Sequence, residues 1–288
     1  MSNISTFRAQ SAPRNLVIAL HCSGAGAGQW RGLRDMLGTD YELIAPEHYG
    51  CDSTGPWTGE HAFTLADEAA RTVALIDEAD DRVHLVGHSY GGAVALHAAV
   101  ARPDSIASLT LYEPSAFHLL DRLPEGAAPF AEIVGVARAT SESVVRGDYR
   151  GAAARFVDYW SGPGAWDAMR PAPKGAVTRW APKAPLDFNA LIEEPTPVAA
   201  YAALRFPVLI LRGEHAPAPT RVIAETLPRL LPAARLAVVA GAGHMGPFTH
   251  AAEVNALIAQ HVVEVAPRRR ARLGARRQQF ADVVVSAR

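Results

Sequence analysis

The sequence predicts an α/β protein, with a mostly parallel sheet covered by helices on both faces and interrupted by one helical insertion. Three observations point there. Six short apolar runs bounded by turn residues read as buried strands. Segments in which apolar residues recur at helical spacing lie between them. The alternation lapses over roughly residues 116–202, where Ala, Pro, Trp and charged residues dominate and no strand pattern occurs. Alternating strands and helices favour parallel pairing, because each helix carries the chain back across the sheet before the next strand begins.

Taken in order, the first run is NLVIAL (15–20), followed by the glycine-rich LHCSGAGAGQW (20–30), and the second is YELIAP (41–46). The segment 62–80 places Leu65, Ala69, Val73 and Ile76 on one helical face. A third run, RVHLVG (82–87), leads into a tight turn and then into AVALHAAVA, an apolar helix-forming stretch. The fourth run is SLTLYE (108–113), the fifth PVLILR (207–212) and the sixth RLAVVA (235–240). Within the insertion, Ile133, Val136, Phe156, Tyr159 and Trp160 form apolar faces able to roof a pocket at the carboxyl ends of the strands, where open α/β sheets bind ligands. The expected organisation is a core of 1–115 and 203–266, a helical cap of 116–202 and an arginine-rich tail of 267–288. That tail carries seven arginines and reads as a solvated surface segment.

Composition narrows the function classes. A total of 28 basic and 29 acidic side chains gives a formal charge of -1, so no overall field attracts nucleic acid or an anionic membrane. The first fifteen residues are mostly polar and the apolar stretches are too short to span a bilayer, which predicts a soluble, cytoplasmic protein. Cys22 and Cys51 are too few for a disulfide framework and lack zinc-site spacing. The expected partner is a small-molecule substrate, with no nucleic acid and no membrane; oligomeric state leaves no mark on the sequence.

The chemistry concentrates in Val86-Gly87-His88-Ser89-Tyr90-Gly91-Gly92, between a strand and a helix. This is the setting of a nucleophile elbow, where a serine on a sharp turn projects its Oγ above the sheet while flanking glycines let backbone approach closely. The Tyr90 backbone N–H, at the helix start, is available to a developing oxyanion. A serine hydroxyl needs a base, and His244 follows the last strand in GAGHMGPFTH, where a glycine-rich loop can carry an imidazole over the same sheet edge.

On these motifs the chain resembles the α/β-hydrolase superfamily from about residue 15 to 265. The loop LHCSGAGAGQW is similar to the family's His-Gly loop after its third strand, with Cys22 in place of the usual glycine. The resemblance implies an α/β-hydrolase fold and makes the Ser23 backbone N–H the second oxyanion donor. A dinucleotide site is the rival reading of Gly24, Gly26 and Gly28 with Glu47, but the third glycine of that fingerprint falls at Gln29.

One element departs from the family. Its acid commonly sits in a Gly-x-x-Asp turn after the strand represented by PVLILR, and that position is Ala216. Glu113 is the first alternative, because it ends the strand after the nucleophile's own, an arrangement that some haloalkane dehalogenases resemble. Glu214 is the competitor, two positions before Ala216. Attack by serine, rather than by the aspartate of dehalogenases, implies acyl chemistry without metal or organic cofactor: hydrolysis of a small carboxylic ester through an acyl-enzyme. Acyl transfer to an alcohol or peroxide, or slow-turnover ligand binding, are the alternatives.

Overall fold

A computed structural model describes residues 15–265, so the tail expected at 267–288 lies outside the described residues. Its centre is a six-stranded, wholly parallel sheet with strands β1 (Asn15–Leu20), β2 (Tyr41–Ile44), β3 (Val83–His88), β4 (Ile106–Tyr112), β5 (Val208–Gly213) and β6 (Ala234–Val239). Their spatial order is β2-β1-β3-β4-β5-β6, so the chain runs outward from β1 to one edge, then returns past β1 and proceeds to the other. All six apolar runs become strands, shifted by one or two residues at their ends.

Strand periodicity sends alternate side chains to opposite layers. Ile18, Leu20, Leu85, Val208 and Ile210 join one buried cluster, while Val17, Ala19, Val86, Leu209 and Leu211 join another. Helices α1 (Arg31–Leu37) and α12 (Ala251–Val265) cover the second layer through Leu33, Leu37, Val254 and Ile258. Helices α2 (Leu65–Asp77), α3 (Tyr90–Ala101) and α10 (Ala218–Leu230) cover the first through Leu65, Val94, Ile223 and Leu227. Helix α2 starts where the sequence permits a stop to extended chain: the Thr64 hydroxyl accepts the Asp67 N–H while the Asp67 carboxylate accepts the Thr64 N–H. This reciprocal bonding satisfies two donors that a helix start leaves open. Leu65, Ala69 and Ile76 of the predicted face are buried and Val73 is half-buried.

Between β4 and β5 the chain is mainly helical, with loops and 3-10 turns connecting α4 (Ala127–Val145), α5 (Tyr149–Ser161), α6 (Ala165–Ala168), α7 (Pro171–Trp180), α8 (Ala184–Ile192) and α9 (Val198–Tyr201). Part of this insertion builds its own small core from Ala152, Val157, Trp166, Val177 and Trp180. Another part, including Ile133, Trp160, Phe188 and Leu191, merges with the main core. A buried polar knot ties the two together. Lys183 of the insertion donates to Glu68 of α2 at 2.6 Å and to Asp187 of α8, and the Tyr90 hydroxyl donates to the same Glu68 at 2.7 Å. Each of these charges is nearly excluded from water, so each needs the others to be tolerated there. A last short helix, α11 (Gly246–Thr249), precedes α12.

Four of the buried histidines stand out as neutral rings. Desolvation pushes His21 down to about 3, His84 to about 4 and His118 to about 4, and drives His88 well below its ordinary 6.5. Unfolding returns all four to water, where they protonate near 6.5, so the unfolded chain binds more protons and stability falls as pH drops from about 6.5 towards 4. Urea unfolding at pH 7.5, 6.0 and 5.0 should therefore give steadily lower midpoints, and midpoints independent of pH would contradict the buried neutral state.

Candidate active site

The turn after β3 carries a strain that its neighbours impose. Ser89 adopts φ 54° and ψ -118°, and among the described residues it shares positive φ outside glycine with Glu113 alone, at φ 41°. Such backbone costs of order 1–3 kcal/mol and persists only where the surroundings enforce it. Here the enforcement is close packing. A Cβ at Gly91 would run into the carbonyl oxygens of Leu20 and His21, one at Gly87 into that of Gly91, and one at Gly92 would lie 2.9 Å from Pro114. The Ser89 N–H donates to the Tyr112 carbonyl at 3.0 Å, which fastens the turn to β4.

Ser89 Oγ lies 2.9 Å from His244 Nε2, and His244 Nδ1 lies 2.7 Å from Glu113 Oε2. The structure thus brings together Ser89, His244 and Glu113 from the ends of β3, of β6 and of β4. Glu113 is wholly buried, and its carboxylate also accepts the Gly213 N–H at 2.8 Å and the Thr220 hydroxyl at 2.8 Å. With Glu113 on Nδ1, the imidazole carries its proton there and presents a lone pair on Nε2 to the serine hydroxyl.

Glu214 is not brought to His244. It is exposed, and its carboxylate accepts the Gly241 N–H at 2.8 Å across the turn that follows β6. The backbone alternates here: Gly213 ends β5 with its N–H facing Glu113, whereas the Glu214 N–H faces β6 and donates to the Val239 carbonyl at 3.0 Å, and its carboxylate stays on that side, with Gly241. Ala216, at the position of the family's usual acid, bonds through its N–H to the Gly213 carbonyl at 3.3 Å and contributes no charge.

The loop bearing His244 is held from below. The Tyr112 hydroxyl donates to the Gly243 carbonyl at 2.8 Å, and His88 Nε2–H donates to the His244 carbonyl at 2.9 Å. His88 is therefore the Nε2–H tautomer, and its Nδ1 accepts from Gln29 at 3.1 Å. Gln29 in turn accepts the Cys22 N–H at 3.0 Å, so one amide links the 20–30 loop, the elbow and the histidine loop. Above the imidazole, the Trp160 ring lies 4.1 Å from that of His244, centroid to centroid. Cys22 and Cys51 are free thiols, and burial pushes them up to about 12 and about 11, so neither supplies a competing thiolate near neutral pH.

The expected oxyanion donors flank this arrangement. Tyr90 is the first residue of α3, so its N–H has no acceptor within the helix. Ser23 and Ser89 line the same cavity of about 700 Å³, together with His244 and insertion residues Phe156, Trp160 and Val177. Glu47, the acid of the rival dinucleotide reading, instead accepts the Ala27 N–H at 3.3 Å and the Ser53 hydroxyl at 2.7 Å, bracing the loop. Sequence reading missed Ser115, whose hydroxyl lies 3.1 Å from that of Ser89, and Thr220. Ser115 stands two residues after Glu113 in YEPS, a proximity that could have flagged it; Thr220, far along the chain, offers no such sign.

A model of the alpha/beta hydrolase family matches residues 17–257. The chain is 35% identical over 100 residues to lipase LipV of Mycobacterium tuberculosis, covering 34% of this chain and 37% of that one. It is 33% identical over 101 residues to 2-hydroxy-6-oxo-2,4-heptadienoate hydrolase of Pseudomonas putida, covering 34% and 36%. The matches thus span about a third of the length of these curated relatives. The enol-lactonase from Burkholderia xenovorans LB400 superposes with a TM-score of 0.67 at 14% identity, over 88% of this chain and 92% of that one, a likeness of fold.

Two glycines should respond oppositely to the same change. Gly91→Ala forces a methyl into backbone carbonyls and should cost about 1–3 kcal/mol or prevent folding. Gly135→Ala, in α4 with nothing within 4 Å of the new Cβ, should gain roughly 0.5–1 kcal/mol of helix stability. Thermal melts of both variants decide it.

Proposed function

The chain belongs to the α/β-hydrolase family, and from that premise we propose that it is a serine hydrolase that cleaves a small carboxylic ester through an acyl-enzyme. The observation that carries this reading is the unbroken relay of 2.9 and 2.7 Å from Ser89 through His244 to Glu113. Ser89 Oγ bonds to the ester carbonyl carbon as its proton passes to His244 Nε2, and Glu113 stabilises the imidazolium that forms. The Ser23 and Tyr90 N–H groups receive the oxyanion. Collapse breaks the bond to the alcohol oxygen, which takes the proton from His244. Water then attacks the acyl-enzyme, giving one proton to His244 and through it restoring Ser89.

The buried Glu113 favours catalysis over passive ligand binding, since Ala216 leaves His244 without a partner only if no other carboxylate reaches Nδ1. A fluorophosphonate probe tests the reading. Wild type should label covalently and Ser89→Ala should not. Glu113→Gln should lower kcat by as much as about 10⁴, while Glu214→Gln, remote from His244, should change it by less than about twofold, within surface-substitution effects. An unlabelled wild-type protein, or equal losses in the two glutamate variants, would overturn it.

A further inference from the structure

Two spaces of very different size meet at Ser89. The larger, about 700 Å³, is walled by apolar groups such as Trp160, Met169, Val177, Met245 and Phe248, and His244 also lines it. The smaller holds only about 10 Å³, with Ser115, Phe117, Trp180, Phe188 and Leu191 around Ser89, and His244 is not in its lining. The smaller space has room for about one water molecule.

The chemistry tells which part of an ester enters which space. The imidazole that accepts the serine proton must deliver it to the leaving oxygen, so the leaving alcohol lies on the His244 side. The acyl substituent, attached to the same carbon, then turns to the other side of Ser89. From this we propose, resting on the acyl-enzyme reading, that the substrate is an ester of a short acid, of formyl to acetyl size, with a bulky apolar alcohol.

The small chamber is built to stay small. Phe117 stacks between Trp160 and Phe188, each at 6.5 Å, and Phe156 meets Phe188 edge-on at 6.3 Å. Phe117, Phe188 and Leu191 are all buried. Helix α8, which carries Phe188 and Leu191, is fixed to the core by the Lys183, Asp187 and Glu68 knot. Close-packed aromatic walls accept extra methylenes only by moving neighbours, which interiors resist. Among the described residues, the leaving-group side keeps about 700 Å³ open beside Met169, Met245 and Phe248, and Phe248 is exposed.

Octyl acetate and ethyl octanoate are isomers that differ in which side of the ester carries the long chain. With full-length protein whose Ser89 is first shown to react with a fluorophosphonate, kcat/KM should favour octyl acetate by at least about 10-fold. Leu191→Ala and the milder Phe188→Leu should each raise the ratio of 2-naphthyl butyrate to 2-naphthyl acetate hydrolysis, a ratio independent of the fraction folded. A labelled enzyme that prefers ethyl octanoate, or treats the isomers equally, overturns the proposal and leaves the serine mechanism standing. Unchanged ratios in both variants would remove the chamber from acyl selection. A protein that neither labels nor turns over either ester would overturn the mechanism and this proposal together.

Discussion

Glu113 is the interaction on which the site depends. A fully buried carboxylate is costly unless its oxygens are satisfied, and here three donors from three separate parts of the chain converge on it: Gly213, Thr220 and His244. The end of β5, the start of α10 and the loop after β6 are thereby drawn to one point. The residue accepts left-handed backbone to reach them, just as Ser89 does on the neighbouring strand. Strain at two adjacent strand ends, in a molecule otherwise free of it outside glycine among the described residues, marks where local stability gives way to geometry.

Around that point the insertion acts as part of the site as well as its cover. Trp160 lies against the imidazole, and Lys183 reaches down to the phenol of Tyr90, the residue that opens α3 beside the serine. The insertion therefore touches His244 through Trp160 and the start of α3 through Lys183. Its own small core lets it keep that shape, while Ile133, Trp160 and Phe188 bind it to the layer beneath.

Strands and elbow were legible because each depends on local pattern. NLVIAL and PVLILR are apolar on both faces, as strands covered from two sides must be, and Gly87 and Gly91 stand where any Cβ would strike backbone. Glu113 was legible as a strand-end carboxylate and ranked before Glu214, but what separates the two in space, which neighbour each residue faces beyond its strand end, is a matter that spacing alone leaves open. Gln29 shows the reverse. As the residue that breaks a glycine fingerprint it served only to exclude, whereas in space its amide joins Cys22 to His88. Such links are set by long-range topology, and no window along the chain contains them. The insertion's helices were expected, but the ion knot between Lys183 and Glu68 joins residues far apart in sequence and had no local sign.

With the carboxylate that meets His244 at the end of β4, the turn after β5 takes a different role. The turn still serves that carboxylate, but through the N–H of Gly213, a position where a Cβ would run into the Ala242 carbonyl oxygen and only glycine fits. Its side chains matter too, since Glu214 holds the Gly241 N–H in the loop that leads to His244. In this chain the turn after β5 is thus a spacer of fixed shape: it lends the buried carboxylate one backbone donor and props the histidine loop with Glu214, while the charge itself arrives from the neighbouring strand.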